Sequence, residues 1–221
     1  MIYEKGYYIT VKEFKMRQLF MEKQINKYDL NINKFEGINK YKINLNKLVK
    51  TGLIKHPFNI RKHRLGTLAC CLSHVLLYMK IYNENKDNDK EIFLILEDDA
   101  FILPDFKKKL EFYYKYIPEN WDMVWLGYNK FLGKQINKYV GVPTNNPPGG
   151  VNACHHCYLI KKSSIQKILK ILVPLNYISS MTKDLYIRKN FDKFNAYFIL
   201  NDRLAIQNTK FISTRTGGVN G

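Results

Sequence analysis

The strongest helical pattern in the chain is "LGTLACCLSHVLLYMKIYNEN", where Leu65, Leu68, Leu72, Val75, Leu76, Met79 and Tyr82 recur at spacings of three and four. That spacing predicts a helix from Leu65, left through the polar "NENKDNDK". Ile92 to Leu96 is an unbroken apolar run bounded by charge, which predicts a strand buried on both faces. Pro104 and Asp105 suit the start of a helix whose inner stripe is Phe106, Leu110, Tyr113 and Ile117. "WDMVWLG", Trp121 to Gly127, reads as another strand.

Upstream, the aromatic and β-branched "GYYITV" (6–11) predicts a first strand. A helix follows over Lys12 to Lys27, with Phe14, Leu19, Phe20 and Ile25 as its apolar face. Residues 28–64 are rich in Asn and Lys and predict loop, with a short strand near Phe35. Residues 128–152, containing "NNPPGGVN", predict one long loop that orders over a bound ligand. Beyond it come a strand "CYLI", a helix "SSIQKILKIL" capped by Ser163 or Ser164, a helix from about Thr182 to Phe191 and a strand "AYFIL". A mobile tail is expected from about residue 209. Strands alternating with helices predict a single α/β domain over residues 1–221, its central sheet Rossmann-related, mainly parallel and flanked by helices.

Charge changes this picture little. The net charge is +17, but the lysines are spread along the chain and no run of five like charges occurs. A solvated lysine-rich surface accounts for that, while attraction of phosphorylated substrates is permitted. Cys70, Cys71, Cys154 and Cys157 fit small core residues in a reducing compartment. "MIYEKGYYIT" has no signal-peptide core, and no run reaches the roughly 20 apolar residues of a membrane span. A cytoplasmic protein without a transmembrane segment is therefore expected.

The candidate chemistry lies where strand 92–96 ends in Glu97, Asp98 and Asp99. Acids at the carboxyl end of a buried strand are costly unless something positive compensates them, and that edge is where open α/β sheets bind ligands. Alternation along a strand puts Glu97 and Asp99 on one side and Asp98 on the other. Two carboxylates on one side suit Mg²⁺ or Mn²⁺ bridging substrate phosphates. The plainer alternative is a set of acids complementing the dipole of the next helix.

These segments together resemble glycosyltransferase family 25, which includes bacterial lipooligosaccharide galactosyltransferases and procollagen galactosyltransferase domains. The matching residues are Gly66, Cys70, Ser73 and His74, then Leu96 to Asp99, then Leu103, Pro104 and Phe106, then Trp121, Asp122, Leu126 and Gly127. Looser matches are Arg17 near the start, with Thr10 standing where the family usually has Asn, and Asp184 and Gln207 near the end. The resemblance covers about residues 7–208. It implies a GT-A-like fold and an inverting, metal-dependent transfer of a hexose, galactose or glucose, from a UDP-sugar. The acceptor hydroxyl would belong to a glycan such as lipopolysaccharide, a lipid-linked sugar or a collagen-like protein. It places Glu97 and Asp99 at Mn²⁺ or Mg²⁺, and Thr10, Arg17, Ser73, His74 and Asp98 around the donor.

An inverting displacement needs a carboxylate to take the acceptor's proton, and Asp184 is the candidate; its alternative is a first-turn helix acid. "ACHHCYL" invites zinc, but Cys154, His155, His156 and Cys157 alternate between strand faces, so four ligands do not converge. One of the two histidines could still contact the metal or donor. No dinucleotide, P-loop or nucleophile-elbow motif occurs. A metal-dependent nuclease or phosphotransferase, a nucleic-acid-binding module without catalysis, and a catalytically dead relative are the competing readings. Dispersed lysines argue against specific nucleic-acid binding.

Overall fold

The structure, a computed structural model, describes residues 2–55, 65–84, 88–148, 151–175 and 183–211. Its elements in chain order are β1 (Lys5–Thr10), α1 (Lys15–Lys27), β2 (Ile32–Glu36), α2 (Leu45–Lys50), α3 (Leu65–Glu84), β3 (Ile92–Glu97), β4 (Ala100–Ile102), α4 (Phe106–Tyr114), β5 (Met123–Gly127), β6 (Gly133–Asn137), β7 (Val140–Pro143), β8 (Cys157–Lys161), α5 (Lys162–Leu172), α6 (Lys183–Arg188), β9 (Ala196–Ile199) and β10 (Ala205–Gln207).

Eight strands form one sheet in the order β2-β1-β3-β8-β5-β9-β7-β6, and β4 pairs with β10 apart from it. β8 and β7 run against the other six, as their antiparallel pairings with β3, β5, β9 and β6 require. The protein is thus α/β, with a mostly parallel central sheet flanked by helices.

Two apolar layers cover the sheet. Along β3, Phe93 and Ile95 face one layer while Leu94 and Leu96 face the other, so the strand is buried on both sides as its sequence predicts. The first layer takes Leu68, Leu72 and Val75 of α3, Ile165 and Ile168 of α5, and Ile187 of α6. The second takes Met21 of α1 and Leu110 and Tyr113 of α4. Leu72 is fully buried, so Leu72→Ala would cost about 2–5 kcal/mol. Helix α3 is long and apolar enough to cross a membrane by length and composition, yet 67% of that stretch is buried in this domain.

Several expectations change. Helix α1 starts at Lys15, and its inward face is Arg17, Gln18, Met21 and Gln24, while Leu19 is exposed. The polar residues turn inward because they serve backbone and site groups: Gln24 alone bonds Ala100 O and the Ile102 N–H. The short strand expected near Phe35 is β2, and within residues 28–55 the structure adds the helix α2, which the sequence reading did not foresee. Residues 128–152 are not one loop either, because β6 and β7 pair within them. Asp105 precedes α4 in the left-handed region (φ 60°) without a side-chain cap bond. Helix α5 has Lys161, not a serine, at its cap, and Ser164 instead donates to Asp122 Oδ1 at 2.6 Å. Thr182, Gly149, Gly150 and the tail beyond 211 lie outside the described residues.

Candidate functional site

The carboxyl ends of β1, β3 and β5 share one edge of the sheet, and antiparallel β8 begins there. Leu96 pairs with Cys157, and Cys157 pairs on its other side with Gly127. That register sets Thr10, the three acids, His155, His156 and Gly127 side by side.

Asp98 faces α1. Its Oδ1 accepts from Arg17 Nη1 at 2.7 Å and its Oδ2 from the Thr10 hydroxyl at 2.8 Å. Burial pushes this carboxyl up to about 6 against the opposing pull of Arg17 and Thr10, so it is ionised at neutral pH. The Arg17 guanidinium also lies over the Phe14 and Phe211 rings, at 5.3 and 5.2 Å.

Glu97 faces the opposite layer and meets a cation supplied by the chain itself. Lys183 Nζ donates to Glu97 Oε1 at 3.2 Å and to His74 Nε2 at 3.0 Å. An ammonium only donates, so Nε2 of His74 must accept, and Nδ1–H must donate to the Tyr158 hydroxyl 2.8 Å away. His74 is therefore neutral, and burial, then Lys183, lower it to about 4. Tyr158 passes the chain of bonds on to Tyr78 at 2.5 Å. Burial alone would lower Lys183, but the Glu97 and Asp184 carboxylates outweigh it and raise its pKa.

Asp99 departs from strand alternation because the chain turns at 98–99 before β4. Its Oδ2 accepts from Gln207 Nε2 at 2.9 Å, and its backbone oxygen from the Asn208 N–H at 2.7 Å. Its Oδ1 is buried without a hydrogen-bond partner among the described residues. Burial raises this carboxyl, and the nearby Glu97 charge adds to the rise.

Asp184 opens α6 next to Lys183. Its Oδ2 accepts from the Cys154 N–H at 3.0 Å, and its Oδ1 lies 3.2 Å from His155 Nδ1. Asn152 and Cys154 both have positive φ (49° and 59°), and this strained turn aims the Cys154 N–H at the carboxylate. His155 Nε2 donates to Asn152 O at 2.9 Å, so its Nδ1 carries a bare lone pair when the ring is neutral. The 3.2 Å contact with Asp184 is thus proximity and not a hydrogen bond, in line with the unpartnered Nδ1.

Ser73 and His156 have other work. Ser73 donates to Ala69 O at 2.7 Å and accepts from the Ile38 N–H at 2.8 Å, which ties α3 to the segment after β2. It makes no recorded contact with the acids among the described residues. His156 donates to Ala205 O at 3.2 Å. A Cβ on Gly127 would come within 2.5 Å of His156 Nε2, which is the physical reason for glycine there. Asp122 sits at the opposite end of β5, and Lys167, Ser164 and the Asn195 N–H hold it.

Two donor sets could concern a metal. Cys70, His74 and Glu97 offer atoms within 4.8 Å of one another, but the Lys183 ammonium already lies against two of them. The orphaned Asp99 Oδ1, beside the Glu97 charge, is the better fit for a hard divalent cation. Lys183 itself escaped sequence reasoning, since nothing local separates it from the other members of a set of 36 lysines and arginines.

Carboxylates and a buried lysine thus gather at the carboxyl edge of a mostly parallel α/β sheet. The chain belongs to glycosyltransferase family 25 (LPS biosynthesis protein), whose sequence profile matches residues 3–142. It is accordingly a glycosyltransferase. A solved structure similar to it is a glycosyltransferase involved in glycosylation of the major capsid of PBCV-1, at 9% identity and TM-score 0.49, covering 96% of this chain and 95% of that one. Another is the apo glycosyltransferase GlyE of Streptococcus pneumoniae TIGR4, at 9% identity and TM-score 0.45, covering 93% of this chain and 54% of that one. A third is the inositol-1-phosphate CTP transferase of T. maritima, at 10% identity and TM-score 0.42, covering 94% of this chain and 89% of that one. No curated protein matches the sequence.

Proposed function

We propose that this protein is an inverting hexosyltransferase that takes galactose or glucose from a UDP-sugar and places it on a hydroxyl of a glycan acceptor. The observation that carries the reading is the single edge holding Glu97, Asp98, Asp99 and Asp184 in three different states of compensation. Asp98 is fully bonded and orients Arg17, a preorganised guanidinium beside the edge. Glu97 is held by Lys183. Asp99 keeps one oxygen unpaired. Asp99, with Glu97 beside it, would hold Mn²⁺ or Mg²⁺, which when bound supplies positive charge to a leaving diphosphate.

Asp184 would accept the acceptor hydroxyl's proton as that oxygen bonds to the sugar's anomeric carbon and UDP leaves. The Cys154 N–H fixes one carboxylate oxygen and leaves the other toward His155 and Lys183. Lys183 joins the two halves, because it contacts Glu97 and lies 3.8 Å from Asp184.

Calorimetry with UDP, with and without Mn²⁺, tests the donor reading, followed by release of UDP from UDP-galactose and UDP-glucose. UDP binding strengthened by Mn²⁺ is expected. No UDP binding with the metal present would overturn the reading.

A further inference from the structure

We infer that the cleft beyond the end of β5 is the acceptor subsite, and that it takes a saccharide bearing an anionic group, carboxylate or phosphate. The inference rests on the transferase reading above and adds what the acceptor must carry. The cleft has a volume of about 340 Å³ and is lined by Tyr128, Asn129, Phe131, Leu200, Asn201 and Arg203.

Its position follows from the register. Leu96 and Gly127 flank Cys157 on opposite sides, so the end of β5 stands two strand spacings, about 10 Å, from the end of β3. Tyr128 and Asn129 continue from β5, and Leu200 and Asn201 from its parallel neighbour β9. The cleft therefore opens on the same edge as the acids, close enough for a bound saccharide to extend a hydroxyl toward them.

The cleft is built rather than incidental. Phe131 forms part of its wall and packs against Phe198, and a Cβ at Gly141 or Gly133 would approach Phe131 Cζ to 2.4 or 2.8 Å. Those glycines let an aromatic ring lie against the β6–β7 hairpin. Asn201 is held in the left-handed region (φ 68°), with its amide donating to Lys138 O at 2.8 Å. Arg203 Nη1 donates to Tyr128 O at 3.0 Å and Asn129 O at 3.1 Å, and its guanidinium lies 5.9 Å from the Tyr128 ring centre.

Charge then names the ligand. Arg203 is pinned through one nitrogen, which leaves the rest of its fork oriented at an exposed rim. Among the described residues no carboxylate lies within ion-pair distance of it. The neighbouring Asp202 is committed to Lys109 and Tyr113. A preorganised guanidinium without a counter-ion, beside apolar and amide surface, suits an anionic sugar.

The test is NMR titration of the full chain with methyl galactoside, methyl galactosiduronate and methyl galactoside 6-phosphate, alongside UDP. Wild type should bind at least one of the two anionic probes tenfold or more tighter than the neutral one. Arg203→Gln should abolish that preference, Arg203→Lys should keep part of it, and UDP affinity should not change in either. The anionic probe whose affinity falls identifies the group. Equal affinity for all three probes, or an anionic preference that survives Arg203→Gln, overturns the inference. UDP binding without binding of either anionic probe overturns the subsite alone. Anionic-probe binding without UDP binding overturns the donor reading, and the acceptor role with it.

Discussion

Lys183 Nζ stands 3.2 Å from Glu97 Oε1 and 3.0 Å from His74 Nε2, inside a pocket where the lysine side chain is 2% exposed. Two acids that strand alternation would treat as equals are thereby made different. Glu97 already has a cation, while Asp99 Oδ1 has no hydrogen-bond partner among the described residues. Four predictions follow from this division of labour and from the groups around it.

Removing the lysine charge should be costly, and removing both charges much less so. Lys183→Met leaves Glu97 without its buried counter-charge, at an expected cost of about 3–5 kcal/mol. Lys183→Met combined with Glu97→Gln should recover a large part of that loss. Urea denaturation of the four proteins in the cycle measures it. Additivity within about 0.5 kcal/mol would show that the pair is not coupled.

Asp99→Asn should separate metal binding from folding. The asparagine can still accept from Gln207, and it removes a buried carboxylate oxygen that nothing satisfies. Without metal, the melting temperature should hold or rise. With Mn²⁺ at about 100 times the wild-type Kd, wild type should gain about 2.7 kcal/mol and the variant almost none. The same Mn²⁺ response in both proteins would remove Asp99 from the metal site.

Asp184→Asn keeps an oxygen for the Cys154 N–H but no basic carboxylate. Turnover should fall by roughly 10²–10⁴-fold with UDP affinity intact. A purely structural acid would instead lose about 0.3–1 kcal/mol of stability and leave turnover nearly unchanged.

Acid should weaken the fold through its buried histidines. His155 is held to about 4 by burial first, with Asp184 opposing and Lys183 assisting, and His74 reaches about 4 as well. The unfolded chain therefore binds protons from about pH 6.5 downward while the folded one does not. Stability from these groups is fully present above 6.5 and declines toward 4, by about 3 kcal/mol for each histidine. Asp98 works the other way: its folded value near 6 makes the folded state take up a proton first, which offsets part of the loss between 6 and 4. His155→Gln should flatten the fall of stability between pH 6.5 and 4, as read by denaturation at each pH. An unchanged slope would refute the assignment.

Much of this was legible beforehand where burial repeats with a clear period. β3, β5 and the stripe of α4 follow directly from apolar spacing, as does the existence of α3, although its buried face takes Tyr78 and Ile81 while Leu76 and Tyr82 are exposed; alternation places Glu97 and Asp98 on opposite faces as found. The misses share a cause: polar residues whose partners lie far along the chain. The inward Gln18 and Gln24 of α1 look like surface residues until their carbonyl partners are known. Strand β6, "GKQIN", is exposed at four of its five positions and has no apolar alternation to betray it. Asp99 leaves the strand's parity because the ladder ends at Glu97, and a two-residue turn has no hydrophobic signature. Lys183 is one basic residue among many until Glu97, 86 positions earlier, is brought beside it.

That separation also sets a timetable. At roughly 5–20 residues per second of synthesis, Glu97 leaves the ribosome several seconds before the lysine that neutralises it. The nascent chain meanwhile carries the apolar strand β3 with an uncompensated acid at its end, and Gln207, which secures Asp99, comes later still. Two of the three acids therefore gain their partners only once α6 and β10 have been made, and those late residues act as the latch on a site whose acids were laid down first.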